Sequence, residues 1–358
     1  MISIIGAGPA GSYLAYLLAK KNKEVEVFEE HSKIGEPIQC SGVITPALND
    51  LIKIKKDILV NKINRVRFYS PDNKSFEIKI PTDYVFDRSK LDRYIASLAE
   101  KAGVKFHLNS RFLEYAHLNK DELKLKFEKF TKNTNLLIGA DGPRSKVAQS
   151  ANLFHNRKFM TGIQARSKIK VESKNLVEIY LGYGEFGWSI PEDEYHSRIG
   201  VVSEHDPTAD FNSLMKRLNA KFICYQSGMI PLYNPSVKTQ TDKVFLVGDA
   251  ATMCKSSTHG GIMFGMLAAK ELADSIVYNK DYENLWRKKL GFDLWLHLKI
   301  RNTLKKFSDK DYNKLVQYFS QEKVNKYLSS HVRDFPSKFI FKMLATEPRL
   351  ARFAAKLI

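Results

Sequence analysis

Three short stretches of this 358-residue chain combine reactive or ligand-binding residue types with spacings that make them usable. The first is "GAGPAG", with Gly6, Gly8 and Gly11, directly after the apolar run at residues 2–5 and ahead of a helical pattern. There Gly6 permits a tight turn, Gly8 lets a pyrophosphate approach the backbone, and Gly11 lets helix pack closely on strand, with Ala10 in the same first turn. Glu29 closes the next strand, where a carboxylate accepts hydrogen bonds from ribose hydroxyls. The second stretch is "VFLVGDAATMCKSSTHGGIMFG", residues 244–265. It reads as a strand delivering Gly248 and Asp249 to its carboxyl end, a polar loop, and a helix that starts at Gly260, Gly261 and Ile262. A helix start carries partial positive charge and unpaired N–H groups, so it binds anions and electron-rich oxygens. The third is "NLLIGADG", a buried strand that ends at Asp141.

One such strand end serves a simple nicotinamide dinucleotide. Three serve a flavin dinucleotide better, because its ribityl chain and ring extend well past the first pyrophosphate turn. Asp249 can hold ribityl hydroxyls. The helix start at Gly260–Gly261 can aim its N–H groups at the N1–C2=O edge of the ring, which becomes negative on reduction. FAD is therefore the expected cofactor.

The elements that must position these residues follow from periodicity. An apolar strand, a helical pattern over 10–21 and "EVEVFEE" form a strand–helix–strand unit. "RVRFYS" and "SFEIKI" flank "PDNK" as a hairpin, and "DRSKLDRYIASLAEKAG" is an amphipathic helix closed by Gly103. Short alternating segments from 160 to 204 predict an antiparallel sheet, and the pattern is helical from 281 onward. The expected fold is α/β: a Rossmann-type FAD-binding domain (1–60, 87–155, 235–280) interleaved with an antiparallel-sheet substrate domain (61–86, 156–234), then a helical C-terminal region (281–358).

Composition narrows the class. No window approaches the roughly 18–20 apolar residues of a membrane span, and "MISIIGAG" enters a strand at once, so a cytoplasmic protein is expected. Cys40, Cys224 and Cys254 have no metal spacing, which fits a reduced thiol state. The net charge is +18, and residues 281–358 hold 17 Lys/Arg against 8 Asp/Glu. Such charge suits solvated faces, an anionic membrane surface or nucleic acid. With no RNA-binding module, nucleic acid is not expected. In "PRLARFAAKLI", Leu350, Phe353, Ala354 and Leu357 share a helical face beside Arg349, Arg352 and Lys356, so peripheral binding at the inner membrane face is expected there.

"GAGPAG", "DRSKLDRYIASLAEKAGV", "LIGADGPRS" and "VFLVGDAA", in this order, resemble the FAD-dependent oxidoreductases built like aromatic-ring hydroxylases. Within that group, "KIGEPIQCSGVIT", "EFGWSIP" and the 248–265 stretch look most like the geranylgeranyl reductase family. The resemblance implies that Arg88 contacts the dinucleotide and that Asp141 lies on its pyrophosphate side. It implies that Cys40 sits beside the flavin, with Ser41 and Gly42 next to it. Phe186, Trp188, Ile190 and Pro191, with Tyr183 just before them, would line a lipid pocket. By physics alone the aromatic, glycine-rich run "YLGYGEFGWSIP" fits either a channel for an isoprenoid chain or a sandwich core. Three departures stand out: His259 where the family has glycine, Ser256 where proline is common, and Ala148 where arginine often ends the Asp-Gly motif.

The implied reaction is reduction of carbon–carbon double bonds in a polyprenyl chain, with archaeal-type geranylgeranyl lipids as the first substrate class and a prenyl-quinone side chain as the next. Cys40, Trp188 and His259 are the candidate catalytic residues, and Cys40, His259 or water the candidate proton sources. A flavin monooxygenase or halogenase of the same fold is the rival reading. No second Gly-x-Gly-x-x-Gly is read for a separate nicotinamide domain, so the reductant is left among NADPH, NADH and reduced ferredoxin.

Overall fold

The computed structural model describes residues 1–354, without the side chains of Arg352 and Ala354. The chain divides into two compact units. One comprises Met1–Pro37, Arg88–Lys158 and Pro231–Trp295, the other Ile38–Asp87, Phe159–Ile230 and the chain from Leu296 onward.

In the first unit five short strands form a parallel sheet in the order Val244–Leu246, Leu136–Gly139, Ile2–Ile5, Val25–Phe28, Lys105–His107. The strands Ile2–Ile5 and Val25–Phe28 are buried at every position, as expected when both faces of a sheet are covered. Helix Pro9–Ala19 packs against helices Arg88–Lys101 and Ile262–Tyr278. Its meeting with the latter uses three small residues: a Cβ on Gly265 would lie 3.2 Å from the Gly248 Cα and 3.3 Å from the Ala10 Cβ. Ala10 thus has a packing role that holds two helix starts together.

The second unit is built on an eight-stranded sheet in the order Lys221–Pro231, Phe159–Lys168, His196–Ser203, Phe186–Pro191, Leu176–Tyr180, Leu59–Tyr69, Ser75–Phe86, Val43–Ile44. The hairpin Leu59–Phe86 and the pairings among the strands of residues 159–203 are antiparallel as expected. Leu176–Tyr180, however, runs parallel to Leu59–Tyr69, which makes the sheet mixed. Hairpin signals are local, whereas this pairing joins segments far apart in the chain, and no local pattern announces it. Along each strand side chains alternate between faces. One face packs Ala165, Tyr180, Ile199 and Val201 against Phe211 and Leu214 of helix Thr208–Arg217. Ile63, Val85, Val177 and Ile190 cluster with Ile179 and Trp188.

Three sequence expectations differ from this structure. Residues 38–60 fall in the sheet unit, because Val43–Ile44 and the start of Leu59–Tyr69 both pair with Ser75–Phe86. Residues 281–358 are divided between the two units, so they are no separate helical region. The C-terminal apolar stripe is also inward: Leu350 and Phe353 are buried against Tyr318, Val324 and Met343. An amphipathic pattern says that a face is covered, and here the protein's own core covers it. Lys356 and Leu357 lie outside the described residues. Among the described residues no helix is long and apolar enough to cross a membrane.

Candidate active site

The glycine turn divides its labour as its spacing predicts. A Cβ on Gly6 would run into the Ala140 carbonyl, and one on Gly11 into the Gly6 carbonyl oxygen, so both positions seal backbone against backbone. A Cβ on Gly8 would meet no protein atom within 4 Å, which leaves the backbone there open to a ligand. Gly8 is also the N-cap of helix Pro9–Ala19, which has Pro at its start, no side-chain cap and no acidic residue in its first turn. Its N–H groups are therefore suited to a phosphate. Glu29 reaches back to this turn. One carboxylate oxygen accepts from the Ala7 N–H at 2.8 Å, and the other lies 2.6 Å from the His31 Nδ1. His31, which the sequence reading missed, therefore orients the carboxylate expected to hold ribose.

Asp141 lies against the turn but spends its carboxylate locally. It accepts from the Ser145 hydroxyl at 2.6 Å and from the Val147 N–H at 3.1 Å, and burial pushes its pKa up. Arg88 donates to both oxygens of Asp92 at 3.0 Å, one helical turn along. Asp92 was also missed, although its i,i+4 spacing from Arg88 made it legible.

Asp249 is different. Among the described residues no protein group donates to its carboxylate, and burial pushes its pKa up to about 6, with Arg88 as the one charge that opposes the rise. One of its oxygens would lie 2.6 Å from a Cβ on Gly261, so any larger residue there would displace the carboxylate. Gly261 is the N-cap of helix Ile262–Tyr278, again with no side-chain cap and no acidic residue in the first turn. Gly248, with φ +67°, makes the turn that carries Asp249. An acceptor without a donor, beside uncapped N–H donors, fits the hydroxyls of a ribityl chain and an electron-rich ring edge. FAD therefore fits the residues of this unit: Gly6, Gly8, Gly11 and Glu29 for the adenosine diphosphate end, and Asp249, Gly260, Gly261 and Ile262 for the flavin end. His259 precedes them in the left-handed region, at φ +54°, and its N–H donates to the Lys255 carbonyl at 2.8 Å.

The sheet unit holds the remaining candidates. The Cys40 sulfur accepts from the Gly42 N–H at 3.4 Å. Its loop is fastened by buried Arg198, which donates to the Ser41 carbonyl at 2.5 Å and the Phe86 carbonyl at 2.9 Å, while Glu192 holds the same guanidinium at 2.8 Å. The Trp188 ring lies across Gly200, where a Cβ would overlap it. Its Nε1–H donates to Gln164 at 2.9 Å, and Gln164 donates to Gln226 at 2.6 Å. Phe186 is 6.0 Å from Trp188 between ring centroids. Ile190 and Pro191 are buried. Tyr183 is not with them: it packs on the cluster covered by helix Thr208–Arg217 and meets Tyr180 edge-on at 6.4 Å. The glycine spacing also recurs at Gly182, Gly184 and Gly187, which the sequence reading did not count. There it joins two antiparallel strands with no following helix, so it is no dinucleotide turn.

Residues 4–40 match the model of an NAD(P)-binding Rossmann-like domain. The chain is 27% identical to the digeranylgeranylglycerophospholipid reductase of Methanothrix thermoacetophila, over 91% of this chain and 92% of that one. It is 27% identical to the protein of the same name from Methanocaldococcus jannaschii, over 100% and 98%. Its fold superposes with TM-score 0.84 on a geranylgeranyl bacteriochlorophyll reductase-like protein from Thermoplasma acidophilum, at 23% identity, covering 100% of this chain and 98% of that one. The flavin-dependent halogenase CmlS follows at TM-score 0.73 and 16% identity, covering 98% and 77%. The chain is thus similar, over 91% or more of its length, to proteins named digeranylgeranylglycerophospholipid reductase, and it shares its fold with a geranylgeranyl bacteriochlorophyll reductase-like protein.

Proposed function

We propose that this protein is an FAD-dependent oxidoreductase that saturates carbon–carbon double bonds in the geranylgeranyl chains of archaeal-type membrane lipids. The observation that carries the reading is the end-to-end match to named digeranylgeranylglycerophospholipid reductases in a chain whose three strand ends fit FAD. When bound, FAD supplies the hydride. The chain's own residues do the rest. Asp249 and the Ile262 helix start orient the cofactor. The apolar face around Trp188, held in place by Gln164 and Gly200, offers a surface for an isoprenoid chain. An isolated alkene is a poor electrophile, so placement and exclusion of water carry much of the burden. Cys40, on a loop that Arg198 fixes, and His259 are the side chains proposed to deliver the proton. Electrons come from NADPH, NADH or reduced ferredoxin, and the lipid is met at the inner membrane face.

The test follows the fate of the reduced cofactor. The protein is reduced with dithionite under argon, a geranylgeranyl glycerophospholipid is added, and flavin absorbance and lipid mass are followed together. A reductase reoxidises while the lipid gains mass in two-hydrogen steps. If the lipid leaves the cofactor reduced, and oxygen with a small aromatic substrate then gives product, the halogenase-like reading of the same fold replaces this one.

A further inference from the structure

We infer that the exposed end of strand Lys221–Pro231 is the edge by which this protein sits on an anionic lipid bilayer, with Phe222, Ile223 and Tyr225 entering the interface and Lys216 and Lys221 meeting the headgroups. The inference rests on the reading of the substrate as a membrane lipid. The strand lies at one edge of the eight-stranded sheet. Alternate side chains of a strand point to opposite faces. Lys221 through Tyr225 are nonetheless all exposed, so neither face is covered there. Phe222 is 48% exposed, Ile223 42% and Tyr225 60%. The Phe222 and Tyr225 rings lie 4.2 Å apart between centroids, and Tyr225 leans on Phe211 of helix Thr208–Arg217 at 5.8 Å, so the aromatic rings form one joined surface. An edge strand with large apolar side chains in solvent invites association, and folded proteins keep such edges short, charged or covered unless they are used.

The nearby charges choose the occupant. Helix Thr208–Arg217 ends in Lys216 and Arg217, Lys221 follows within four residues, and from residue 211 to residue 241 the sequence holds no aspartate or glutamate. A second copy would meet this edge with the same edge, setting lysine against lysine with no carboxylate from that segment between them. An anionic surface instead gains from each lysine, and aromatic rings beside basic side chains settle at the level of lipid headgroups. The strand also leads to the proposed substrate surface. Gln226, next to Tyr225, accepts from Gln164, which in turn holds the Trp188 ring. Two residues further on, a Cβ on Gly228 would lie 2.7 Å from the carbonyl oxygen of Gln39, the neighbour of Cys40. At about 3.3 Å per residue, the strand covers about 20 Å from Phe222 to that point. A lipid drawn from the bilayer at Phe222 thus reaches the surface around Trp188 along a single strand.

Vesicles test this without turnover. The full-length protein is sedimented with vesicles of equal parts phosphatidylglycerol and phosphatidylcholine, and separately with phosphatidylcholine alone. Wild type should partition onto the anionic vesicles far more strongly than onto the neutral ones. Phe222→Ser with Ile223→Ser, and separately Lys216→Gln with Lys221→Gln, should each weaken anionic binding about tenfold. The lysine pair should also flatten the salt dependence. Both double variants should melt near wild type, because the altered side chains are exposed, and both should slow turnover of lipid in vesicles but not of lipid in detergent micelles. An environment-sensitive fluorophore on exposed Cys224, in Cys40→Ser protein, needs neither pair and should shift its emission to the blue on anionic vesicles. If the fluorophore stays in water, or both double variants bind vesicles as wild type does, the inference fails. It fails equally if wild type is a dimer that Phe222→Ser with Ile223→Ser turns into monomers and neither form binds vesicles, since the edge then pairs with a second copy. The reduction of micellar lipid by dithionite-reduced protein is read separately, so loss of this inference and loss of the reductase reading are different results.

Discussion

At the glycine turn, close backbone contacts do the positioning: Gly6 against the Ala140 carbonyl, Gly11 against Gly6, and Gly8 open to the outside. On the Trp188 strand the ring is held by Gly200 and Gln164 from two other strands, with Gln226 from a third behind them. The first region works through backbone and the absence of side chains. The second works through side chains gathered from strands dispersed along the chain. Backbone geometry dictates glycine wherever it recurs, whereas a gathered face admits many combinations, so the two regions should respond differently to damage.

The largest contrast lies inside the turn. Gly11→Val should cost about 3 kcal/mol or more, since neither backbone segment can yield, and the cofactor-free protein should unfold early or fail to express. Gly8→Val should leave the melting temperature of cofactor-free protein close to wild type and abolish FAD binding in a fluorescence titration. Equal destabilisation by both would refute the division of labour. On the sheet, Gly200→Ala pushes the Trp188 ring off its seat at up to about 3 kcal/mol. Lipid turnover should slow while dithionite still reduces the flavin at the wild-type rate. A variant with unchanged lipid kinetics would remove Trp188 from the substrate surface.

Asp249 sharpens the comparison by pH. Its pKa in the folded protein, about 6, lies above that of an unfolded carboxyl. The stability it contributes is therefore fully present below about pH 4 and is lost as pH rises through 6. Cofactor-free wild type should lose on the order of 2 kcal/mol relative to Asp249→Asn between pH 4 and 7. Parallel melting profiles for the two proteins would count against a carboxylate left waiting for donors. The smallest effect belongs to His259. Relieving its left-handed backbone with His259→Gly should stabilise the protein by about 1 kcal/mol. If lipid turnover falls sharply in the same variant, the ring delivers the proton. If turnover holds, water or Cys40 does.

Much of the dinucleotide unit was legible. The strands at Ile2–Ile5 and Val25–Phe28, the helix start at Gly261 and the strand end at Asp249 all carry local signals: apolar runs, glycine where a Cβ has no room, and helical spacing. The sheet unit was legible strand by strand but not as a sheet. Residues 38–60 and the parallel pairing of Leu176–Tyr180 with Leu59–Tyr69 escaped, because strand order depends on contacts between distant segments. Tyr183 and Trp188 are five residues apart in an aromatic run, yet they join different clusters, because Tyr183 lies in the turn ahead of the strand that carries Trp188.

What the sequence determined by itself is the set of positions where backbone must approach backbone or a ligand. Glycine and aspartate are the residue types that satisfy those constraints, and a short motif announces them even where the partner backbone is distant. Only the tertiary structure decided that Lys255 would be buried beside a helix start, that Arg198 would clamp the Cys40 loop, and that the C-terminal apolar stripe would face the core. Lysine and arginine have long, flexible side chains that suit solvent as well as a buried site, and an amphipathic stripe fits a core as well as a membrane. Which of these environments each one meets is fixed by segments far away in the chain, brought together only on folding.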